Sequence, residues 1–385
     1  MKILIAPDSF KGSLSAKRAA ESIRKGFSEI LPNAHYFLFP LADGGEGTVS
    51  AIINATGGSF IEEKVTSPSG KKIPAKYGVL KNGKTAIIEM AAASGLELLS
   101  AQKKNPFTAT TFGTGELIKS ALDKGFPKII VGLGGSATID CGTGMAQALG
   151  AKLLDGKGKQ IPFGLNGLQK LEKIDISQLD KRIFQSEIIA AYDVRNPLTG
   201  KSGAAFVYGK QKGAKVSELP LIDDLLKKFA FLVKRDLGTN VTNLVGAGAA
   251  GGLGAGLFAF LNAKLKPGFQ VVSEIINLEK VISTVDLVIT GEGELSLQSC
   301  FGKAPVEIAK LAKKYAVPII CICGKISEEN CASRYFNAVF SIKSKKITEE
   351  EAMKNAEYYL KKISKKAAKE IKNGKFKFVI ANKFK

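Results

Sequence analysis

Acidic, hydroxyl and lysine side chains follow the ends of several short apolar runs in this sequence. Asp8, Ser9, Lys11 and Ser13 form one such group, after the run at residues 3–6 and before a helical pattern. A cation, hydroxyls and a helix N-terminus all favour an anion, so the segment predicts a phosphate or carboxylate site. A turn in which Asp8 accepts hydrogen bonds from backbone amides explains the same residues equally well.

A second acidic group stands on a glycine-rich turn after the next apolar run. Asp43 and Glu46 flank the pair Gly44-Gly45. Two carboxylates can hold Mg²⁺, which binds one or two carboxylates together with phosphate oxygens. Aspartate and glycine are also ordinary turn residues, so a plain turn remains the other interpretation.

A loop of glycines and hydroxyls, Gly-Gly-Ser-Ala-Thr at residues 134–138, separates the apolar run 129–131 from a helical segment. Glycine lets backbone N–H groups approach a ligand closely, and phosphate is the ligand that suits such groups best. Glycine-rich segments also follow apolar runs at 246–252 and 291–293. Asp140 either caps the helix after the first loop or faces a metal, and we expect the capping role.

Asp193 stands at the end of another predicted strand, 188–192, and a fixed turn containing Asn196 follows. An aspartate in such a place can accept a proton from a substrate hydroxyl, as in phosphoryl transfer. Lys212 adds a cation in the turn Gln-Lys-Gly. A surface salt bridge explains Lys212 about as well.

Composition excludes several classes of protein. The net charge of +21 favours an anionic partner but does not identify it. His35 is the single histidine of the chain, which excludes Ser-His-Asp chemistry and histidine-ligated metals.

Five cysteines without paired spacing indicate a reducing compartment, so we expect a cytoplasmic protein. Cys321 and Cys323 share one face of an apolar run, which predicts two buried thiols rather than a metal site.

The uncharged stretch 237–263 is long enough to raise the question of a membrane span. Its glycines and polar residues instead predict a glycine turn followed by a buried helix at 253–261.

Both ends of the chain alternate short apolar runs with helical patterns. The predicted strands are 2–6, 35–41, 285–290, 318–323 and 338–342, and the predicted helices are 15–31, 45–55, 303–315 and 349–371. This alternation predicts a flavodoxin-like parallel sheet with right-handed crossovers.

The intervening residues predict a second domain. We expect the flavodoxin-like domain to comprise 1–57 and 284–385, and an α/β domain with an antiparallel or mixed sheet to be inserted as 58–283. Because ligands bind at the carboxyl ends of strands in doubly wound sheets, the predicted active site lies in the cleft between the two domains.

Many of these segments occur together in the order typical of one enzyme family. The matching segments are 6–13, 42–48, 88–96, 113–118, 132–138, 193 with 196–198, 211–214, 246–254, and 291–293 with 302–305. In these motifs the chain resembles the bacterial type I glycerate kinase family over almost its whole length. The resemblance implies phosphorylation of D-glycerate by ATP, usually at the 2-hydroxyl to give 2-phosphoglycerate.

The resemblance also implies a flavodoxin-like domain carrying an inserted α/β domain, whereas the roles of the candidate residues come mainly from their chemistry. Asp193 would orient the substrate hydroxyl, and Lys11 and Lys212 would neutralise anionic oxygens. Mg²⁺ would be held by Asp43, Glu46 or Glu292. The predicted substrate and phosphate ligands are Ser9, Ser13, Gly134, Gly135, Ser136, Thr138, Asn196, Gly248, Gly251 and Gly293. D-Glycerate and ATP are therefore the expected partners, with neither nucleic acid nor membrane.

Two departures from the family pattern keep a second hypothesis open. After Gly293 the family usually has an arginine, an aliphatic residue and an aspartate, where this chain has Glu294, Leu295 and Ser296. After Thr138 the usual Asn-Asp-Gly-Gly is replaced by Ile-Asp-Cys-Gly. The alternative function is that of a catalytically degenerate paralogue which senses a hydroxy acid or a nucleotide.

Overall fold

A computed structural model of the chain describes residues 1–10, 12–41, 47–301, 303–327, 332–344 and 347–374. Lys11, Asp43 and Glu46 lie outside the described residues. The strands are β1 (Lys2–Pro7), β2 (His35–Leu38), β3 (Ser59–Thr66), β4 (Lys72–Val79), β5 (Thr85–Glu89), β6 (Lys128–Gly132), β7 (Lys152–Leu154), β8 (Lys173–Asp175), β9 (Glu187–Tyr192), β10 (Lys264–Pro267), β11 (Leu287–Gly291), β12 (Glu294–Leu295), β13 (Ile319–Cys323), β14 (Lys325–Ile326) and β15 (Ala338–Ser341).

Among the elements predicted for the two ends of the chain, one helix and one strand differ in the structure. The helices are α1 (Ala16–Ser28), α2 (Thr48–Thr56), α3 (Ala91–Ser94), α4 (Phe112–Asp123), α5 (Thr143–Ala148), α6 (Gly164–Lys170), α7 (Ala204–Tyr208), α8 (Leu219–Leu237), α9 (Ala249–Leu261), α10 (Gly268–Ile275), α11 (Leu278–Ile282), α12 (Ala304–Lys314), α13 (Glu349–Lys354) and α14 (Ala356–Lys372). The predicted helix 349–371 is divided at Asn355, a poor helix former. The second strand ends at Leu38, two residues before Pro40, which has no N–H for a sheet bond.

The first unit, Met1–Asp43 with Phe269–Lys385, contains a five-stranded parallel sheet in the order β15-β13-β11-β1-β2. Counted along this unit the order is 2-1-3-4-5, so the predicted flavodoxin-like fold is confirmed. Strands β11 and β13 are buried along their whole length, as continuous apolar runs in parallel sheets require. The order of the strands reverses between β1 and β11, and their carboxyl ends lead to Asp8 and Glu292.

The second unit, Gly44–Gly268, contains a mixed six-stranded sheet in the order β10-β9-β6-β5-β4-β3. Strands β5, β6, β9 and β10 are parallel, and β3 and β4 are antiparallel to their neighbours. A mixed α/β architecture for the inserted region is therefore confirmed. Its apolar core holds the buried faces of β5, β6 and β9.

The division between the units falls at 43/44 and 268/269, whereas we predicted boundaries at 57/58 and 283/284. Helix α2 belongs with the second unit because the side chains of Val49 and Ile53 lie where a Cβ on Gly78 of β4 would be. Phe269 and Leu278 belong with the first unit because they share a core with Leu4 of β1.

The cysteines agree with the sequence analysis in one place and differ in another. Cys321 and Cys323 are free and buried in β13, as the apolar run predicted. Cys300 is disulfide-bonded, although the odd number of cysteines led us to expect reduced thiols.

Within the uncharged stretch, residues 249–261 form a kinked and largely buried helix, α9. Ala250, Gly251 and Gly252 have positive φ angles at the start of α9, and a regular helix continues to Leu261. Across the described ranges, no helix combines the length and the apolar composition needed to cross a bilayer.

Candidate functional site

The glycine loop after β6 offers unused backbone donors. Strand β6 is held between β5 and β9, and the loop is tied to its neighbours by bonds from Ala137 N to Ser94 O (3.0 Å) and from Leu96 N to Gly135 O (2.8 Å). Gly135 has a φ of +71°, a conformation that favours glycine. The N–H groups of residues 134–136 donate to no other residue that the structure describes. Consecutive unpaired N–H groups of this kind suit an anion.

Lys212 brings a positive charge to this loop. Its side chain is 2 % exposed, and its Nζ donates to Ser136 Oγ (2.6 Å) and to the carbonyl oxygen of Thr138 (2.8 Å). Burial lowers the pKa of Lys212 to about 7, and the charge of Asp140 opposes that shift. A bound anion favours the protonated lysine, so this ammonium is well suited to neutralise phosphate oxygens.

The turn that presents Lys212 depends on Gly213. This glycine has a φ of +97°, and a Cβ there would lie 2.3 Å from the carbonyl oxygen of Lys104.

The glycine loop at 134–138 also contains Thr138, whose Oγ1 is buried and has no hydrogen-bond partner among the described residues. A buried hydroxyl without a partner is costly, and it is a group that a ligand could satisfy.

Asp140 holds the loop rather than a ligand. Its carboxylate accepts bonds from Thr111 N (2.9 Å), Thr111 Oγ1 (2.8 Å), Gly142 N (3.1 Å) and Gly144 N (3.3 Å). Burial raises the pKa of Asp140, and these bonds act against the shift. The bond from Gly144 gives an acceptor to an N–H group in the first turn of α5, but the N-cap residue of this helix is Gly142 and not Asp140.

Asp193 lies on the exposed turn that follows β9. Asn196, three residues later, accepts a bond from the hydroxyl of Tyr208 (2.6 Å) and donates its amide to the carbonyl oxygen of Ser202 (2.7 Å). Burial raises the pKa of Tyr208 to about 12, and the charge of Asp193 adds to the shift. Both ends of the Asn196 amide are thus used inside the protein, which makes this residue a brace for the turn.

Gly248 and Gly251 are required by backbone packing. A Cβ on Gly248 would lie 2.2 Å from the carbonyl oxygen of Pro197, and a Cβ on Gly251 would lie 1.9 Å from that of Thr138. The N–H of Gly248 donates to Asn196 O (3.0 Å). These contacts explain both glycines through backbone packing, without a ligand.

A cavity of about 350 Å³ lies in the first unit at the carboxyl ends of β1 and β11. Its charged and hydroxyl lining residues are Asp8, Ser9, Ser13, Glu292, Glu294, Lys303, Lys325, Lys343 and Glu349. Ser9, Ser13, Gly293 and Glu292, which the sequence placed on separate segments, all line it. The reversal of strand order is the usual ligand position in such sheets.

Individual bonds inside this cavity limit what each group can do. Asp8 accepts a bond from Ser9 N (2.6 Å), and Ser13 Oγ donates to the carbonyl oxygen of Phe10 (3.0 Å). Asp8 thus accepts a bond from one backbone amide, as the turn interpretation requires, while the N-cap of α1 is Ser15. Lys11 lies outside the described residues, so its role in neutralising anionic oxygens stays a prediction.

Glu292 is buried and held from two sides. Ser299 Oγ donates to its Oε1 (2.6 Å), and Lys303 Nζ lies 3.3 Å from its Oε2. Ser299 also accepts a bond from the backbone N–H of Ser296 (3.1 Å). Glu294, where the family usually has arginine, pairs with Lys325 (3.3 Å) and accepts a bond from Ser327 (2.6 Å).

Tyr208 and Lys303 also contribute to these sites, although neither was predicted from the sequence. Lys303 lies in the family segment 302–305, which was a usable signal, whereas nothing in the sequence near Tyr208 distinguishes it from a core aromatic residue. Among the described residues, no three histidine, cysteine or acidic side chains converge on a common point as metal ligands would. Asp43 and Glu46 fall outside that set.

Comparison with known proteins gives consistent results. Residues 3–372 match a family model described as the glycerate kinase family. The chain is 47 % identical over 382 residues to a Bacillus subtilis (strain 168) protein named "Glycerate kinase", covering 99 % of this chain and 100 % of that one. It is 49 % identical over 358 residues to an Escherichia coli (strain K12) protein named "Glycerate 2-kinase", covering 92 % and 94 %. A solved structure from Salmonella typhimurium LT2, of a candidate glycerate kinase 2, has a TM-score of 0.85 at 47 % identity and covers 97 % of this chain and 99 % of that one.

Proposed function

This chain belongs to the glycerate kinase family, and from that premise we propose that it transfers a phosphoryl group from ATP to the 2-hydroxyl of D-glycerate, giving 2-phosphoglycerate. Kinase activity follows from the family. The name of the Escherichia coli relative, "Glycerate 2-kinase", supports the 2-hydroxyl as acceptor.

The observation that carries the proposal is the position of Lys212 at the glycine loop. A buried ammonium donates to Ser136 and Thr138, beside backbone N–H groups that have no partner among the described residues. We propose that the phosphates of ATP bind here. Phosphoryl transfer depends mainly on positioning and on charge neutralisation, and this arrangement supplies both.

Asp193 is the residue that we propose to act on the acceptor hydroxyl. Its carboxylate lies on an exposed turn that Asn196 braces, where a ligand can reach it. Its role would be to orient the hydroxyl and to take its proton late in the transfer.

We propose that Mg²⁺ is held by Asp43, Glu46 or Glu292. Oxygen donors are the ligands that Mg²⁺ prefers, and Glu292 presents a carboxylate to the cavity at the ends of β1 and β11. When bound, the ion neutralises charge on the phosphate oxygens. We retain a cytoplasmic location as part of the proposal, and we also retain the expectation that the protein binds no nucleic acid.

The sensor alternative depended on Glu294 and Ser296. Membership of a kinase family argues against it. Near these substitutions Ser299 still bonds both Glu292 and the backbone of Ser296. No observation in the structure favours the sensor over the kinase.

The test is a ³¹P NMR spectrum of the protein incubated with ATP, Mg²⁺ and D-glycerate. We expect ADP and the resonance of 2-phosphoglycerate. A 3-phosphoglycerate resonance would overturn the choice of hydroxyl. Absence of ADP formation would overturn the proposed function itself.

A further inference from the structure

The hydroxyl of Tyr208 fixes the turn that carries Asp193. It donates to Asn196 Oδ1 (2.6 Å), and Asn196 Nδ2 in turn donates to Ser202 O (2.7 Å). Because both ends of the amide have partners, Asn196 has one preferred orientation. Asn196 also accepts a bond through its carbonyl oxygen from Gly248 N (3.0 Å). The turn is therefore tied through both side chain and backbone.

The ring of Tyr208 lies against the other proposed functional group. Lys212 Nζ is 5.8 Å from the centroid of this ring, within the range of a cation–π contact. Tyr208 ends α7, and the Lys210–Lys212 turn begins two residues later. One side chain thus contacts both the brace of the Asp193 turn and the ammonium at the glycine loop.

We propose that Tyr208 is a positioning residue, which sets the place of Asp193 relative to Lys212 during phosphoryl transfer. The inference rests on the proposed function, because it assigns Tyr208 a part in that reaction. Tyr208 acts through Asn196 and is not itself placed on the substrate. Misplacing a reacting group by a small distance lowers the rate even when binding survives.

The test compares Tyr208→Phe with Tyr77→Phe in the full-length protein. Tyr208→Phe keeps the ring against Lys212 and removes only the bond to Asn196. We expect kcat to fall about tenfold, with the KM values for ATP and D-glycerate changed less than about twofold and the pH profile of kcat unmoved. Tyr77→Phe removes a comparable hydroxyl contact, with Ser120 (3.2 Å), in the same unit and should leave kcat unchanged.

A double-mutant cycle tests the route through Asn196. If Tyr208 acts through this residue, Tyr208→Phe should have little further effect on kcat in the Asn196→Ala background. Additive losses in the cycle would overturn the proposal, and so would wild-type kcat in a folded Tyr208→Phe variant.

A readout that does not depend on the substrate separates this proposal from the proposed function. The side-chain amide resonance of Asn196 should move in Tyr208→Phe and stay in Tyr77→Phe. If it stays in both, the bracing role is wrong whatever the enzyme phosphorylates. Absence of turnover in the wild-type protein, with the resonance moving as expected, would count against D-glycerate as substrate and leave the bracing contact established.

Discussion

Two glycine-rich segments of the second unit have similar sequences and different structural roles. The loop at 134–138 leaves backbone N–H groups without described partners and lies beside the ammonium of Lys212. In the segment at 246–256, Gly248, Gly251 and Gly256 pack against the carbonyl oxygens of other loops. Glycine content therefore does not identify a ligand site. What separates the two is whether the N–H groups have acceptors and whether a cation lies beside them.

Removing the cation should have the largest effect on activity. We expect Lys212→Met to lower kcat/KM for ATP by about 10³-fold, because the stem is kept and the charge that faces the phosphates is lost. Lys210→Met is the matched control, since Lys210 is exposed in the same turn, and it should have near-normal kcat/KM. The melting temperature of Lys212→Met should equal or exceed that of the wild type, because a buried ammonium costs stability. Retention of more than about a tenth of kcat/KM would contradict the role of Lys212.

Asp193→Asn should have the next largest effect. The change keeps the shape and deletes the charge, so we expect kcat to fall about 10²-fold with a much smaller change in the KM for D-glycerate. The pKa of Tyr208 should also fall, because the charge of Asp193 contributes to raising it. If the variant instead loses thermal stability and keeps kcat per folded molecule, Asp193 only fixes the turn.

The different roles of the two glycine segments should appear as different losses in the free energy of unfolding when a glycine is replaced. Gly251→Ala places a Cβ 1.9 Å from the carbonyl oxygen of Thr138 at a φ of +67°, and we expect the free energy of unfolding to fall by about 3 kcal/mol. Gly135→Ala has a similar φ of +71°, but its nearest neighbour is the Cβ of Ala91 at 3.3 Å. We expect Gly135→Ala to lower the free energy of unfolding by about 1 kcal/mol. Urea unfolding of both variants measures the difference, and equal losses would contradict the packing role of Gly251.

The smallest expected effect is a dependence on pH. Lys212 has a pKa of about 7 in the folded protein, so the affinity for a phosphate ligand should fall as the pH rises above 7, by at most about tenfold per pH unit. Folding stability should move in the opposite direction. The unfolded lysine, with its ordinary pKa of 10.5, binds more protons than the folded one between pH 7 and 10.5, so stability rises over that window.

Calorimetric titration with MgADP from pH 7 to 9 checks this dependence. Lys212→Met is the control for protonation of the ligand itself. The affinity of this variant for MgADP should lack the additional decrease with pH that is seen in the wild type. Parallel profiles for the two proteins would show that the charge on Lys212 does not change over this range.

The fold was predictable because its signals are local. Continuous apolar strands alternating with amphipathic helices indicated the parallel sheet, and the thiols of Cys321 and Cys323 are buried as their spacing required. The place where α2 packs was not predictable, since it depends on the absence of a side chain at Gly78 on a distant strand.

The sites were predictable in part. Sequence order marked Ser136, Thr138 and Lys212 as separate candidates, and the structure joins them through two bonds of one ammonium. The sequence could not distinguish glycines that face a ligand from glycines that face a carbonyl oxygen. It also gave no signal for Tyr208, because a side chain that acts through a neighbour 12 residues away has no pattern in the chain.

The most direct test of the phosphate site is a titration of ¹⁵N-labelled, deuterated protein with MgADP, followed by amide NMR. We expect the resonances of Gly134, Gly135 and Ser136 to shift together on binding and those of Gly248 and Gly251 to shift much less. We also expect Lys212→Met to weaken binding at least about tenfold. Saturable binding that shifts Gly248 and Gly251 while leaving residues 134–136 unmoved would contradict the proposed phosphate site.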